Sequence, residues 1–130
     1  MKRALSILIT LLLLTGCGNA EPTQPTQATY QQITQETAKE MIDTQEVVIL
    51  DAREQHEYDS GHIPEAVLLP VGTITEETAS EVIGDLNTVV LVYCRSGNRS
   101  KTASQALADL GYTNIYEFGG INDWPYEVVS

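Results

Sequence analysis

The sequence predicts an α/β fold: a central, mostly parallel sheet of five strands flanked by helices. Two observations predict it. Short apolar runs alternate along the chain with segments of helical period. The strongest runs are also continuous and rich in β-branched residues, as expected of strands covered on both faces.

The elements follow in order. Tyr30-Gln31-Gln32-Ile33 reads as a short edge strand. Thr34 is placed to cap a helix with Ala38, Met41 and Ile42 on one face. Val47 to Leu50 is a second strand, ending in Asp51-Ala52-Arg53. Glu54 to Tyr58 forms a short helix before the turn Asp59-Ser60-Gly61. Val67-Leu68-Leu69 is a third strand, closed by Pro70, and Thr75 to Ile83 is a helix that stops at Gly84. Val89 to Tyr93 is the most apolar run and is expected at the centre of the sheet. Cys94-Arg95-Ser96-Gly97-Asn98-Arg99 then leads into a helix from Ser100 to Leu110 that stops at Gly111. Tyr112 to Glu117 is the last strand, and Gly119-Gly120 and Trp124 lie beyond it.

Not all of the 130 residues belong to this domain. Met1-Lys2-Arg3 is basic, Ala4 to Leu14 is almost wholly apolar, and Thr15-Gly16-Cys17 follows. A basic start, an apolar stretch short for a bilayer and small residues at its end have the layout of a secretory signal. Leu14-Thr15-Gly16-Cys17 resembles the lipobox of bacterial lipoproteins, which implies cleavage before Cys17 and lipid on its sulfur. Residues 1–16 are therefore expected to be a signal peptide. Residues 17–29, rich in Pro, Thr and Gln, are expected to be a lipidated, unstructured tether. Residues 30–130 remain as one small domain. The expected location is the outer face of the cell membrane, or facing the periplasm.

The charge balance is 7 basic to 18 acidic residues, or −11. Without Lys2 and Arg3 it is 5 to 18, or −13. Such a chain is a poor partner for nucleic acid or anionic headgroups. Of the remaining cations Lys39, Arg53, Arg95, Arg99 and Lys101, three fall in the Cys94 loop and the start of its helix. A local cationic spot on an acidic protein points to an anion site. With Cys17 lipidated, Cys94 has no partner for a disulfide. Two histidines and no cysteine cluster give no metal centre, so no cofactor is expected. A monomer is expected.

Cys94 is the residue with the clearest chemistry. It ends an apolar strand, turns through a tight loop and faces a helix N-terminus, which favours the nucleophilic thiolate. Gly97 permits the tight backbone, and successive loop amides can form an anion-binding nest. In parallel sheets, ligands sit at the carboxyl ends of strands, where Asp51 and Cys94 both fall.

Cys94-Arg95-Ser96-Gly97-Asn98-Arg99-Ser100 resembles the active-site loop of rhodanese-like sulfurtransferase domains. Asp51-Ala52-Arg53-Glu54 with Glu57-Tyr58, and Gly61-His62-Ile63-Pro64-Glu65-Ala66, resemble that family's first signature. Gly111-Tyr112 and Gly119-Gly120 followed by Trp124 resemble its closing one. The resemblance implies a rhodanese-like fold and a cysteine cycling between thiol and persulfide. It implies a small sulfur donor such as thiosulfate and a thiol or cyanide acceptor. Cys94 is then the nucleophile, and the amides from Arg95 through Ser96, Gly97 and Asn98 to Arg99 form the cradle. Arg95 is the choice for recognising an anionic donor. Position 65 is Glu where the family usually has Gly, so the turn after Pro64 is expected to differ.

Around this centre, Asp51 is expected to brace the loop by pairing with Arg99. Arg53 is expected to face the pocket or bind Glu57, in a structural role. His62 stabilises its turn rather than acting as a base, Ser100 caps the helix, and Trp124 covers the core. Two other functions compete with sulfur transfer. One is a non-catalytic binding module. The other is a cysteine phosphatase or arsenate reductase, which resembles Cys followed by five residues and Arg, where Cys94 and Arg99 here have four between them.

Overall fold

The computed structural model describes residues 28–130. In chain order they form β1 (Gln31–Gln32), α1 (Gln35–Thr44), β2 (Val48–Asp51), α2 (Gln55–Ser60), β3 (Val67–Leu68), α3 (Glu76–Ile83), β4 (Val89–Cys94), α4 (Asn98–Asp109) and β5 (Asn114–Gly120). The five strands make one sheet in the order β1-β5-β4-β2-β3. Every strand pair in it is parallel. β4 lies at the centre, as its unbroken apolar run predicts, and Val90, Leu91, Val92 and Tyr93 are all fully buried.

Strand alternation sorts the side chains onto two faces. Leu50, Val90, Val92, Cys94 and Ile115 point to one face, where they pack with Ala79 and Ile83 of α3 and Ala103 and Leu107 of α4. Ile49, Leu91, Tyr93 and Phe118 point to the other, with Ala38 of α1, Ile63 and Trp124. Trp124 covers this second core at 5.5 Å from the Phe118 ring centroid, as expected from its place beyond the last strand.

Local chemistry ends the helices where the sequence indicates. Thr34 Oγ accepts the Thr37 amide at 3.0 Å and caps α1. Thr75 caps α3 in the same way, and that helix stops at Gly84 with φ +87°. The entry to α4 differs from expectation. The helix starts at Asn98, not Ser100, because Gly97 turns the chain at φ +108° and takes the capping position. Ser100 therefore sits inside the first turn, with its hydroxyl free for other partners.

The turn after Pro64 takes a backbone that favours glycine. Glu65 stands at φ +68°, the one non-glycine residue with positive φ among the described residues. A side chain there costs about 1–2 kcal/mol relative to ordinary backbone, a cost glycine avoids.

β2 and β4 run in register, with Asp51 opposite Tyr93. One residue further, past an irregularity between Val92 and Cys94, Cys94 pairs with Gly120 of β5. Asp51 and Cys94 thus end neighbouring strands at the same edge of the sheet but point to opposite faces. That parity governs what each can touch.

Candidate active site

Cys94 is the last residue of β4, and its side chain is almost wholly enclosed. Gly97 brings its own amide back over the sulfur, N to Sγ 3.0 Å. The Ser100 hydroxyl lies 3.4 Å from Sγ on the other side. Burial by itself pushes the thiol up. Hydrogen bonding with the Ser100 hydroxyl and with the amides of Ser100, Gly97 and Ser96 outweighs it, so Cys94 lies below its ordinary value. The loop and the first turn of α4 act together as a cradle for negative charge on sulfur. The backbone approach is close. A Cβ on Gly120 would stand 2.1 Å from the Arg95 carbonyl oxygen, so only glycine fits beneath the loop.

The sulfur has a polar neighbour that strand and helix patterns do not reveal. Ser100 Oγ donates to Glu117 Oε1 at 2.7 Å. Glu117 is 3% exposed, and its carboxylate also accepts the Gly119 amide at 2.8 Å and Gln32 Nε2 at 3.3 Å. Its only sequence signal is parity. Glu117 shares the inward register of Ile115, so a carboxylate stands where a covered strand normally places an apolar side chain.

The expected Asp51–Arg99 brace does not form. Asp51 points to the face away from α4 and binds Arg53 instead, with Arg53 Nη2 to Oδ2 2.7 Å and Nε to Oδ1 3.0 Å. It also accepts the Tyr93 hydroxyl at 2.7 Å. Arg53 does not bind Glu57 as considered. Its guanidinium donates to the Gly61 carbonyl at 2.7 Å, tying the strand end to the turn before His62. The role is structural: a buried ion pair with its hydrogen bonds satisfied holds the first signature together. Burial and the Asp51 carboxylate push the Tyr93 hydroxyl far up, so it remains a donor. His62 is a turn residue as expected, with Nδ1 2.8 Å from the Tyr58 carbonyl and its ring stacked on Tyr58 at 3.7 Å.

Arg99 finds Glu57 instead, in a two-pronged pair at 2.7 and 2.8 Å. Its charge is thereby matched, and the loop's uncommitted cation is the exposed Arg95. Arg95 lines a groove with Arg53, His56, Glu57, Ser60 and Asn122. Ser96 and Asn98 are exposed.

The Arg99 bond holds the Glu57 carboxyl at about 2, against an ordinary 4.5. A carboxyl lowered by folding stabilises the fold above its unfolded value and loses that contribution as pH falls through the folded one. Between about pH 4.5 and pH 2, part of the acid loss of stability should therefore come from Glu57 taking up a proton. Thermal melts across that window should fall less steeply for Glu57→Gln than for the wild type. Parallel slopes would refute the assignment.

A strand-end cysteine cradled by amides, on an all-parallel five-stranded α/β sheet, defines the class of the protein. A family model for the Rhodanese-like domain matches residues 34–126, and the chain belongs to that family. GlpE of Coxiella burnetii, named a thiosulfate sulfurtransferase, is 32% identical over 96 residues, covering 73% of this chain and 87% of that protein. PspE of Escherichia coli, also named a thiosulfate sulfurtransferase, is 34% identical over 74 residues, covering 57% and 70%. A mitochondrial protein of Schizosaccharomyces pombe is 43% identical over 83 residues, and the chain spans 58% of that protein's length. Among solved structures, a rhodanese from E. coli with anions matches at TM-score 0.61 and 28% identity, over 65% of this chain and 99% of the other. A rhodanese-related protein from Thermoplasma volcanium matches at TM-score 0.63 and 30% identity, over 77% and 98%. The expected signal peptide and Cys17 lie outside the described residues.

Proposed function

We propose that this chain is a sulfurtransferase that carries sulfane sulfur on Cys94. The observation that carries the reading is the enclosed sulfur with the Gly97 amide 3.0 Å away and a lowered thiol. The family and its relatives named as thiosulfate sulfurtransferases support it. The Cys94 thiolate attacks the outer sulfur of thiosulfate. The donor's S–S bond breaks, sulfite leaves with the electron pair, and Cys94 holds a persulfide. A thiolate or cyanide then attacks the outer sulfur of that persulfide. The product is an acceptor persulfide or thiocyanate, and the Cys94 thiolate returns. The loop amides steady the anionic sulfur at each stage, and Arg95 draws the anionic donor to the groove.

The test is direct. The full chain is treated with thiosulfate, and the Cys94 peptide should gain one sulfur atom, which cyanide or a small thiol then removes. A Cys94 peptide that stays unmodified with every donor tried would favour the binding-module reading.

In this reading the domain works from a membrane surface. Leu14-Thr15-Gly16-Cys17 supports a lipid anchor on Cys17, and several acyl chains hold a protein far more firmly than one. Expression in a bacterium with labelled palmitate should label the chain, Cys17→Ser should abolish the label, and globomycin should block the cleavage before Cys17. An unlabelled chain would remove the anchor.

A further inference from the structure

Glu117 is the buried ionisable group that the sulfur-transfer scheme leaves unused. A carboxylate at 3% exposure beside an anion-handling cysteine works against the site unless its charge has a purpose there. Its one link to the sulfur is Ser100, which is fully buried and touches both, 3.4 Å from Sγ and 2.7 Å from Oε1.

The geometry points to Cys94 and Glu117 sharing one proton through the Ser100 hydroxyl, with Glu117 as the positioning residue that receives the proton when the thiolate forms. The inference rests on the proposed use of Cys94 as a nucleophile. In the resting state the thiol donates to Ser100 Oγ and the Ser100 hydroxyl donates to Glu117. To form the thiolate, the S–H bond breaks and its electron pair stays on sulfur. Ser100 Oγ takes that proton and passes its own to Glu117 Oε1. Afterwards Glu117 donates to Ser100 and Ser100 donates to the thiolate. The same atoms make the same two hydrogen bonds with reversed direction. One negative charge is present before and after, so as long as the shared proton stays bound the site forms the thiolate without placing two anions on either side of a single hydroxyl.

The surroundings suit this exchange. Gly119 N and Gln32 Nε2 face the Glu117 carboxylate from β5 and β1. Lys101 and Asp123 line the cleft beside it, and Lys101 is exposed to solvent. On the Cys94 side, Arg99 is the near cation, and Glu57 already engages it. Arg95 is exposed to solvent, and Arg53 is paired with Asp51. Among the described residues, Ser100 is the one side chain that bridges sulfur and carboxylate.

The test reads Cys94 itself and does not require turnover. Iodoacetamide alkylation of Cys94 is followed by peptide mass on the full chain from about pH 4 to pH 10. The wild-type rate should rise in two steps, the first with the shared proton still bound and the second when it leaves. Glu117→Gln should give a single step. Its rate should fall about tenfold below wild type near pH 6, yet exceed wild type near pH 9 because a like charge has gone. Ser100→Ala should also lose the first step, but its second should stay at high pH because the carboxylate remains. A residue that only packs would not separate the two variants this way. Should Glu117→Gln fail to fold, the carbon-13 signal of the wild-type Glu117 carboxyl should move in two steps with pH, and in one step in Cys94→Ser. A single-step wild-type profile that Glu117→Gln leaves unchanged overturns the inference. If the chain proves unable to form a persulfide, the sulfur-transfer reading fails by itself, and the two-step profile still decides the shared proton.

Discussion

Cys94→Ser should abolish sulfur transfer, with a loss of at least about 10³-fold, while leaving the fold intact. The reason lies in what the cradle stabilises. The Gly97 amide points at, and the Ser100 hydroxyl touches, a polarisable sulfur able to take negative charge. A serine hydroxyl at the same place does not ionise under these conditions and cannot hold a second sulfur. The exchange removes little volume from a site that is 1% exposed, so it should cost less than about 1.5 kcal/mol in stability. Turnover with thiosulfate and the mass of the peptide spanning residue 94 check both halves. Sulfur transfer at wild-type rates by the serine variant would mean that the sulfur is carried elsewhere.

Among the described glycines, Gly120→Ala should have the largest structural effect. The backbone angles of Gly120, φ −130° and ψ 154°, suit any residue, so the effect is not conformational strain. It is contact. The new Cβ would meet the Arg95 carbonyl oxygen at 2.1 Å, the Arg95 carbonyl carbon at 2.4 Å and Ser96 Cα at 2.6 Å. All three belong to the main chain of the cysteine loop and cannot rotate away. The loop has to move, and the amides over Cys94 move with it. A destabilisation of about 3 kcal/mol is expected. Cys94 should also react more slowly with iodoacetamide near neutral pH, because its thiolate loses donors. Gly72→Ala, with nothing within 4 Å of the added carbon, serves as the control and should change neither. A Gly120→Ala chain with the melting point and Cys94 reactivity of the wild type would show that the loop does not rest on β5.

Much of this site is legible in the order of residues. The strand–Cys–loop–helix arrangement at Cys94 needs only an apolar run, a glycine and a helical period. The parallel sheet follows from the continuous runs at Val48 to Leu50 and Val89 to Tyr93, and the central place of β4 from its greater apolarity. The charge partners are harder. The sequence suggests Asp51 for Arg99 because both flank the same strand ends. The structure gives Arg99 to Glu57 and Asp51 to Arg53. The difference is one residue of register: Asp51 lies opposite Tyr93, and Cys94 is one step further and faces the other way. A one-residue offset on a strand reverses the face. The short range of hydrogen bonds then leaves Asp51 no route to α4.

Ser100 shows the same limit. Its place near the start of a helical pattern reads as a cap, and Gly97 takes the cap instead. Alternation is the one sign of Glu117 in the sequence, and alternation does not say what lies across from a strand. What the sequence determined by itself is local: a cysteine at a strand end, the glycines that let a loop close around it, and the order of strands and helices. These depend on neighbours along the chain. Only the tertiary structure decided which charges neutralise each other and which buried carboxylate stands behind Cys94. Those pairings span up to 42 residues of sequence. Register and packing set them at distances of about 3 Å, where a shift of one residue exchanges one partner for another.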